Sequence, residues 1–99
     1  MNNINSNGLY RTTDFYLACF LKVKGVKLIK AVGEPNKIKS VIFMFEPVEN
    51  LEQLINGFFN DSETVTANRF VNAIRDLKAL SHTVIDEENQ KVIKANYMR

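Results

Sequence analysis

The sequence predicts one small α+β domain in the order helix, β-hairpin, helix, helix, followed by a stretch that reads either as a second hairpin or as an extension of the last helix. Three observations carry this. The chain has 99 residues, 45% hydrophobic and 24% charged, enough for one core and too few for two domains. Apolar residues recur at helical spacing in some segments and run as β-branched and aromatic blocks in others. Gly25, Gly33, Pro35 and Pro47 fall between those segments, where they punctuate rather than interrupt.

Taken in order, residues 1–10 are rich in Asn and are expected to form a flexible polar arm ahead of a core domain over 11–82, with 83–99 as a C-terminal extension. Thr12 or Thr13 is expected to cap the first helix, with Asp14 in its first turn, where a carboxylate suits the helix dipole. That helix runs through Leu21, and Gly25 is its natural stop. Being apolar almost all round, it must be covered by other elements or by a partner chain.

Val26–Val32 and Ile38–Phe45 read as a hairpin around Gly33-Glu34-Pro35-Asn36. Val41-Ile42-Phe43-Met44-Phe45 lacks the alternation of a half-solvated strand, which predicts burial on both faces. Two strands alone are marginal in water, so helices and a second copy of the chain are expected to support them, giving a possible homodimer. Leu51, Leu54, Ile55, Phe58 and Phe59 form a one-sided stripe on a helix starting near Glu49. Thr66 then caps the longest helix, to about Ser81, with Phe70, Ala73, Ile74, Leu77 and Leu80 as its buried stripe. Thr83-Val84-Ile85 and Lys91-Val92-Ile93 flank Asp86–Gln90, and the pattern allows a hairpin or more helix.

The composition excludes several function classes. One cysteine, Cys19, allows no intrachain disulfide. The start of the chain has no signal-peptide pattern, and the longest apolar run, Phe15–Leu21, is too short to span a membrane. A cytoplasmic protein without membrane contact is expected. No phosphate-cradling glycine loop is present, and one Cys and one His make no zinc site. Cys19 and His82 would be the residue types for a nucleophile and its base, but a cysteine inside an apolar helix usually acts as a small hydrophobe. His82 is more simply a residue at the C-terminal end of the last helix. No enzyme and no cofactor are expected.

Charge is distributed unevenly. Met1–Met44 holds seven basic and two acidic residues, and Phe45–Arg99 six basic and nine acidic. Lys22, Lys24 and Lys27 belong to the basic half. On the long helix, Arg69, Asn72, Arg75 and Lys78 lie opposite the apolar stripe. Arg and Asn are the side chains best suited to pair with guanine and adenine edges. If the tail were a hairpin, helix, helix and hairpin would follow one another in winged-helix order. Asp76, on the same face, would repel phosphates. Tyr10, Tyr16 and Tyr97 are candidates for contact surfaces, since each joins a ring to a polar tip. The expectation is a small non-enzymatic protein that binds nucleic acid through these cations. The alternative is a protein–protein module, such as an inhibitor of a host machine, or a structural or assembly component.

Thr12-Thr13-Asp14-x-Tyr16-Leu17-Ala18, then Lys24-Gly25, Phe43-Met44-Phe45-Glu46 and Phe70-x-x-Ala73-x-Arg75-Asp76-Leu77-Lys78 resemble a family of short uncharacterised domains of bacteria and their phages. The resemblance spans Arg11 to His82. It implies a phage or mobile-element setting and singles out Asp14, Arg75, Asp76 and Lys78 as polar positions to test.

Overall fold

Tyr10–Thr12 form a short first strand, β1, with Tyr10 and Thr12 turned inward and Arg11 outward. In the computed structural model of the chain, the backbone is described over residues 8–97 and the side chains over 8–87. β1 pairs antiparallel with Val41–Phe45 (β3), Tyr10 opposite Phe45 and Thr12 opposite Phe43. Leu28–Gly33 (β2) pairs with the other edge of β3, so the sheet order is β1-β3-β2. The third strand comes from the chain itself. The argument for a homodimer from a two-stranded sheet therefore falls away. So does the reading of Tyr10 as a contact residue, because it is buried in the core; the expected arm meets the described residues only over 8–10.

The turn into the first helix, α1 (Phe15–Val23), is capped one residue later than expected. Asp14 is the N-cap, its Oδ1 accepting from the Leu17 N–H at 3.0 Å. Thr12 holds the entry instead, its Oγ1 accepting from the Asp14 N–H at 3.0 Å. At the other end the Gly25 N–H donates to the Lys22 carbonyl and the Val26 N–H to that of Leu21. This is a Schellman closure, with Gly25 in the left-handed region at φ 88°.

The strands are shorter than the apolar runs suggest. Ile29 drops out of register between Leu28 and Lys30 as a bulge. Residues 34–40 form a longer connection in which Asn36 and Lys39 both have left-handed φ. The Glu34 N–H donates to the Ser40 carbonyl at 2.8 Å across its base. All five residues of β3 are buried, as a central strand covered on both sides requires. Val41, Phe43 and Phe45 enter the main core. On the opposite face Met44 lies in register between Arg11 and Lys30, whose long aliphatic stems can cover apolar surface; the Arg11 Nε is itself buried there.

Leu51–Phe59 (α2) buries Leu51, Leu54 and Ile55, whereas Phe59, expected in that stripe, is 64% exposed. Ala67–Tyr97 (α3) is 31 residues long. It replaces the alternative of a hairpin over Thr83–Ala95, and the winged-helix order goes with it. His82 is accordingly inside a helix, not at its end. Val84, two turns beyond Leu77, is buried in the same core, and the Thr83 hydroxyl donates to the Ala79 carbonyl at 3.1 Å. The expected loop Asp86–Gln90 holds neither Gly nor Pro to turn the chain.

The helices cover one face of the sheet. Leu17, Cys19, Leu21, Phe43, Phe45 and Leu77 are the largest fully buried side chains. α1, which the sequence leaves in need of a cover, is packed within the chain, Leu17 to Leu21 being at most 3% exposed.

Candidate functional site

Arg69, Asn72, Arg75 and Lys78 project from α3 and all are exposed. The core-facing residues Ala73, Leu77 and Val84 hold the opposite side of the helix against the core. Each step of three residues falls about 60° short of a full turn, so from Arg69 to Lys78 the four wind about 180° around the helix, with Arg75 opposite the core-facing residues and Arg69 and Lys78 on opposite flanks. Nine residues separate the first from the last, about 13 Å along the axis. Among the described residues none of Arg69, Arg75 and Lys78 is taken up by an ion pair. Asp76 is exposed one turn beyond Asn72 and so borders the line on one side.

The lysines of the basic half do not join this line as one surface. Lys22 and Lys27 are exposed. Lys24 is held by Glu63 at 2.9 Å, with its ammonium 5.7 Å above the centre of the Phe20 ring. It ties the end of α1 to the segment leading into α3, and its charge is spent there.

At the far end of the line, Lys78 reaches the rim of a cleft of about 290 Å³. The cleft lies between the start of α1, the end of the β2–β3 connection and the middle of α3. Thr13, Phe15, Tyr16, Lys39, Ser40, Ser81 and His82 are among its lining residues. Phe15 sets its ring edge-on to Tyr16 at 5.4 Å and to Phe43 at 6.2 Å. Tyr16 is 58% exposed; the Tyr97 side chain lies outside the described residues. Sequence reasoning missed Lys39, Ser40 and Ser81, for nothing local brings a hairpin connection to α3.

The titratable groups separate structural from available positions. A hydrogen bond donated by the Ser40 hydroxyl, 2.6 Å, holds the Glu34 carboxyl below its ordinary range, and Lys37 at 3.3 Å acts in the same direction. Burial pushes the Cys19 thiol up to about 11, away from the thiolate a nucleophile needs. Burial likewise raises the Tyr10 phenol. Among the described residues no group of three or more His, Cys, Asp and Glu could hold a metal ion. No described helix is long and apolar enough to cross a membrane.

Fold and site together define a small α+β domain with its helices on one face of a three-stranded antiparallel sheet and an exposed line of cations on its longest helix. Residues 7–83 match the family described as Domain of unknown function (DUF5659), and the chain belongs to that family. Neither the curated proteins nor the solved structures hold a match to the chain.

Proposed function

We propose that the chain is a small non-enzymatic binding protein that engages nucleic acid along the exposed part of α3, through Arg69, Asn72, Arg75 and Lys78. The observation that carries the reading is that three cations on this one helix, Arg75 opposite the core and Arg69 and Lys78 on its flanks, are exposed and unpaired among the described residues. Cations in that state can exchange condensed counterions for phosphates, which is the main source of affinity for a nucleic-acid backbone. Lys22 and Lys27 remain auxiliary candidates, and Lys24 is set aside because Glu63 holds it. The phage or mobile-element setting belongs to this proposal and rests on the motif resemblance alone.

A protein-partner role loses its main motive, since α1 is covered inside the chain. What remains for it are the exposed apolar side chains of Tyr16, Ile29, Ile38, Val48, Phe59 and Val71, each from a different element or connection, and exposed apolar residues taken singly are ordinary on a surface.

The test is binding to labelled single- and double-stranded DNA and RNA, titrated from low to physiological salt. Each phosphate neutralised contributes about −0.9 to the log–log slope on duplex and about −0.7 on a single strand. Arg69→Ala with Arg75→Ala should therefore flatten the slope by about 1.4 to 1.8. Circular dichroism should be unchanged, because both side chains are exposed. An unaltered slope in a folded double variant overturns the reading.

A further inference from the structure

We infer that the cleft at the end of the cationic line holds one nucleotide of a single strand, its base against Tyr16 and Phe15 and its phosphate between Lys39 and Lys78. This rests on the nucleic-acid reading of α3 and specifies its ligand. The cleft joins two kinds of surface that a nucleotide needs together. One wall is aromatic: Phe15 is braced edge-on between Tyr16 and Phe43, and Tyr16 is left largely exposed. A ring fixed in this way is a stacking surface for any base. At the rim, Lys39 and Lys78 arrive from different elements, the β2–β3 connection and α3. Among the described residues neither is in an ion pair.

Of the carboxylates next to lining residues in the chain or bonded to them, Asp14 and Glu34 have hydrogen-bond partners and Asp86 is exposed. Asp14, between the lining residues Thr13 and Phe15, accepts from the Leu17 N–H as the cap of α1 and keeps its negative charge, so a phosphate is placed by the two lysines and not by that helix end. Glu34 is held by Ser40 and Lys37. The hydroxyls of Thr13 and Ser81 line the same cleft and can donate to phosphate or sugar oxygens. At about 290 Å³ the cleft falls just under the range of about 300–1,000 Å³ usual for small-ligand sites, which limits it to a small occupant. That suits one nucleotide. Lys39 keeps its place at the rim with a left-handed φ of 61°, a conformation a non-glycine residue adopts only when its surroundings impose it. A duplex presents no free base face, so the site selects single strands.

The test compares Tyr16→Ala, Lys39→Ala and the Arg69→Ala/Arg75→Ala double variant for binding to a short labelled single strand, to the matching duplex, to adenosine monophosphate and to inorganic phosphate. Amide NMR shifts at 13–16 and 78–85 report occupancy of the cleft. The expected result is that Tyr16→Ala and Lys39→Ala each weaken single-strand binding by about tenfold and leave duplex binding unchanged. Monophosphate binding at the cleft, lost in Lys39→Ala, would support the site and show that it takes a free nucleotide as well as a strand. Binding of the strand alone would support it as a subsite of the strand. If both cleft variants bind the single strand like the parent while the double variant does not, the inference is overturned and the α3 reading stands. If the double variant is unaffected and the cleft variants fail, the α3 reading falls and the cleft remains. Inorganic phosphate binding as tightly as the monophosphate would also overturn the inference, because the aromatic wall would then contribute nothing.

Discussion

Replacing Asp14 with alanine tests whether the Thr-Thr-Asp motif at the start of α1 is structural. Asp14 Oδ1 accepts from the Leu17 N–H at 3.0 Å in a part-buried bond, so its loss removes one partner of an N–H at the first turn of α1. Loss of a side-chain N-cap costs about 1 kcal/mol, within a range of about 0.5–2. In a domain of this size that lowers Tm by about 4–8 °C. Asp14→Asn keeps an equally good cap and loses only a charge near the helix dipole, a cost of about 0.3–1 kcal/mol. Thr13, the rival cap suggested by the sequence, is exposed, and Thr13→Ala should stay within about 0.5 kcal/mol of the parent. Urea denaturation followed at 222 nm measures all three, with the m-value expected to hold constant. A Thr13→Ala loss equal to that of Asp14→Ala would refute the assignment of the cap. An Asp14→Ala variant as stable as its parent would refute the claim that the motif serves the helix start.

Three further outcomes follow from the same geometry. Gly25→Ala places a side chain at φ 88°, where strain of about 1–2 kcal/mol is expected although no atom obstructs the added carbon; a neutral result in urea denaturation would deny the Schellman closure of α1. Cys19, fully buried with its thiol raised to about 11 by desolvation, should react with a thiol reagent at pH 8 only as fast as the chain opens. Since the fold favours the neutral thiol, its contribution to stability is complete below the ordinary thiol range and is lost as pH climbs from there through about 11; rapid native-state labelling at pH 8 would contradict this. Asp76→Asn removes an exposed carboxylate beside the cationic line and should tighten nucleic-acid binding severalfold at low salt, less at high salt; weaker binding would place the interface elsewhere.

Much of the fold was legible because its signals are local. The stripe of α2, the stop at Gly25 and the doubly apolar Val41–Phe45 each announce themselves within a few residues. β1 does not, since Tyr10-Arg11-Thr12 is only three residues long and becomes a strand because the edge of β3 offers partners. The reverse happens at Thr83-Val84-Ile85. Their β-branched character favours a strand, but Val84 continues the register of Leu77 into the core, and tertiary packing overrides propensity. At the candidate site the exposure of Arg69, Asn72, Arg75 and Lys78 followed from helical spacing once the apolar stripe was known. The fate of Lys24 did not, because Glu63 lies far along the chain. The meeting of Lys39 with Lys78 was equally hidden, since it depends on how the hairpin connection folds back toward α3.

That contrast bears on where a ligand can act. The apolar surface that first suggested a partner, the all-round hydrophobic α1, is consumed in covering the sheet. Two cations of the basic half are neutralised at short range, Lys24 by Glu63 and Lys37 by Glu34. An exposed ion pair is worth little to stability, yet it lowers the field available to an outside anion. The exposed cations of α3 have no such partner among the described residues, and their line ends at the cleft whose other rim is Lys39. A strand laid along α3 would keep its phosphates on the helix face and reach an aromatic wall only at that end. Backbone contact and base contact are thus separable in this fold, and the slope with salt and the preference for single strands should respond to different substitutions.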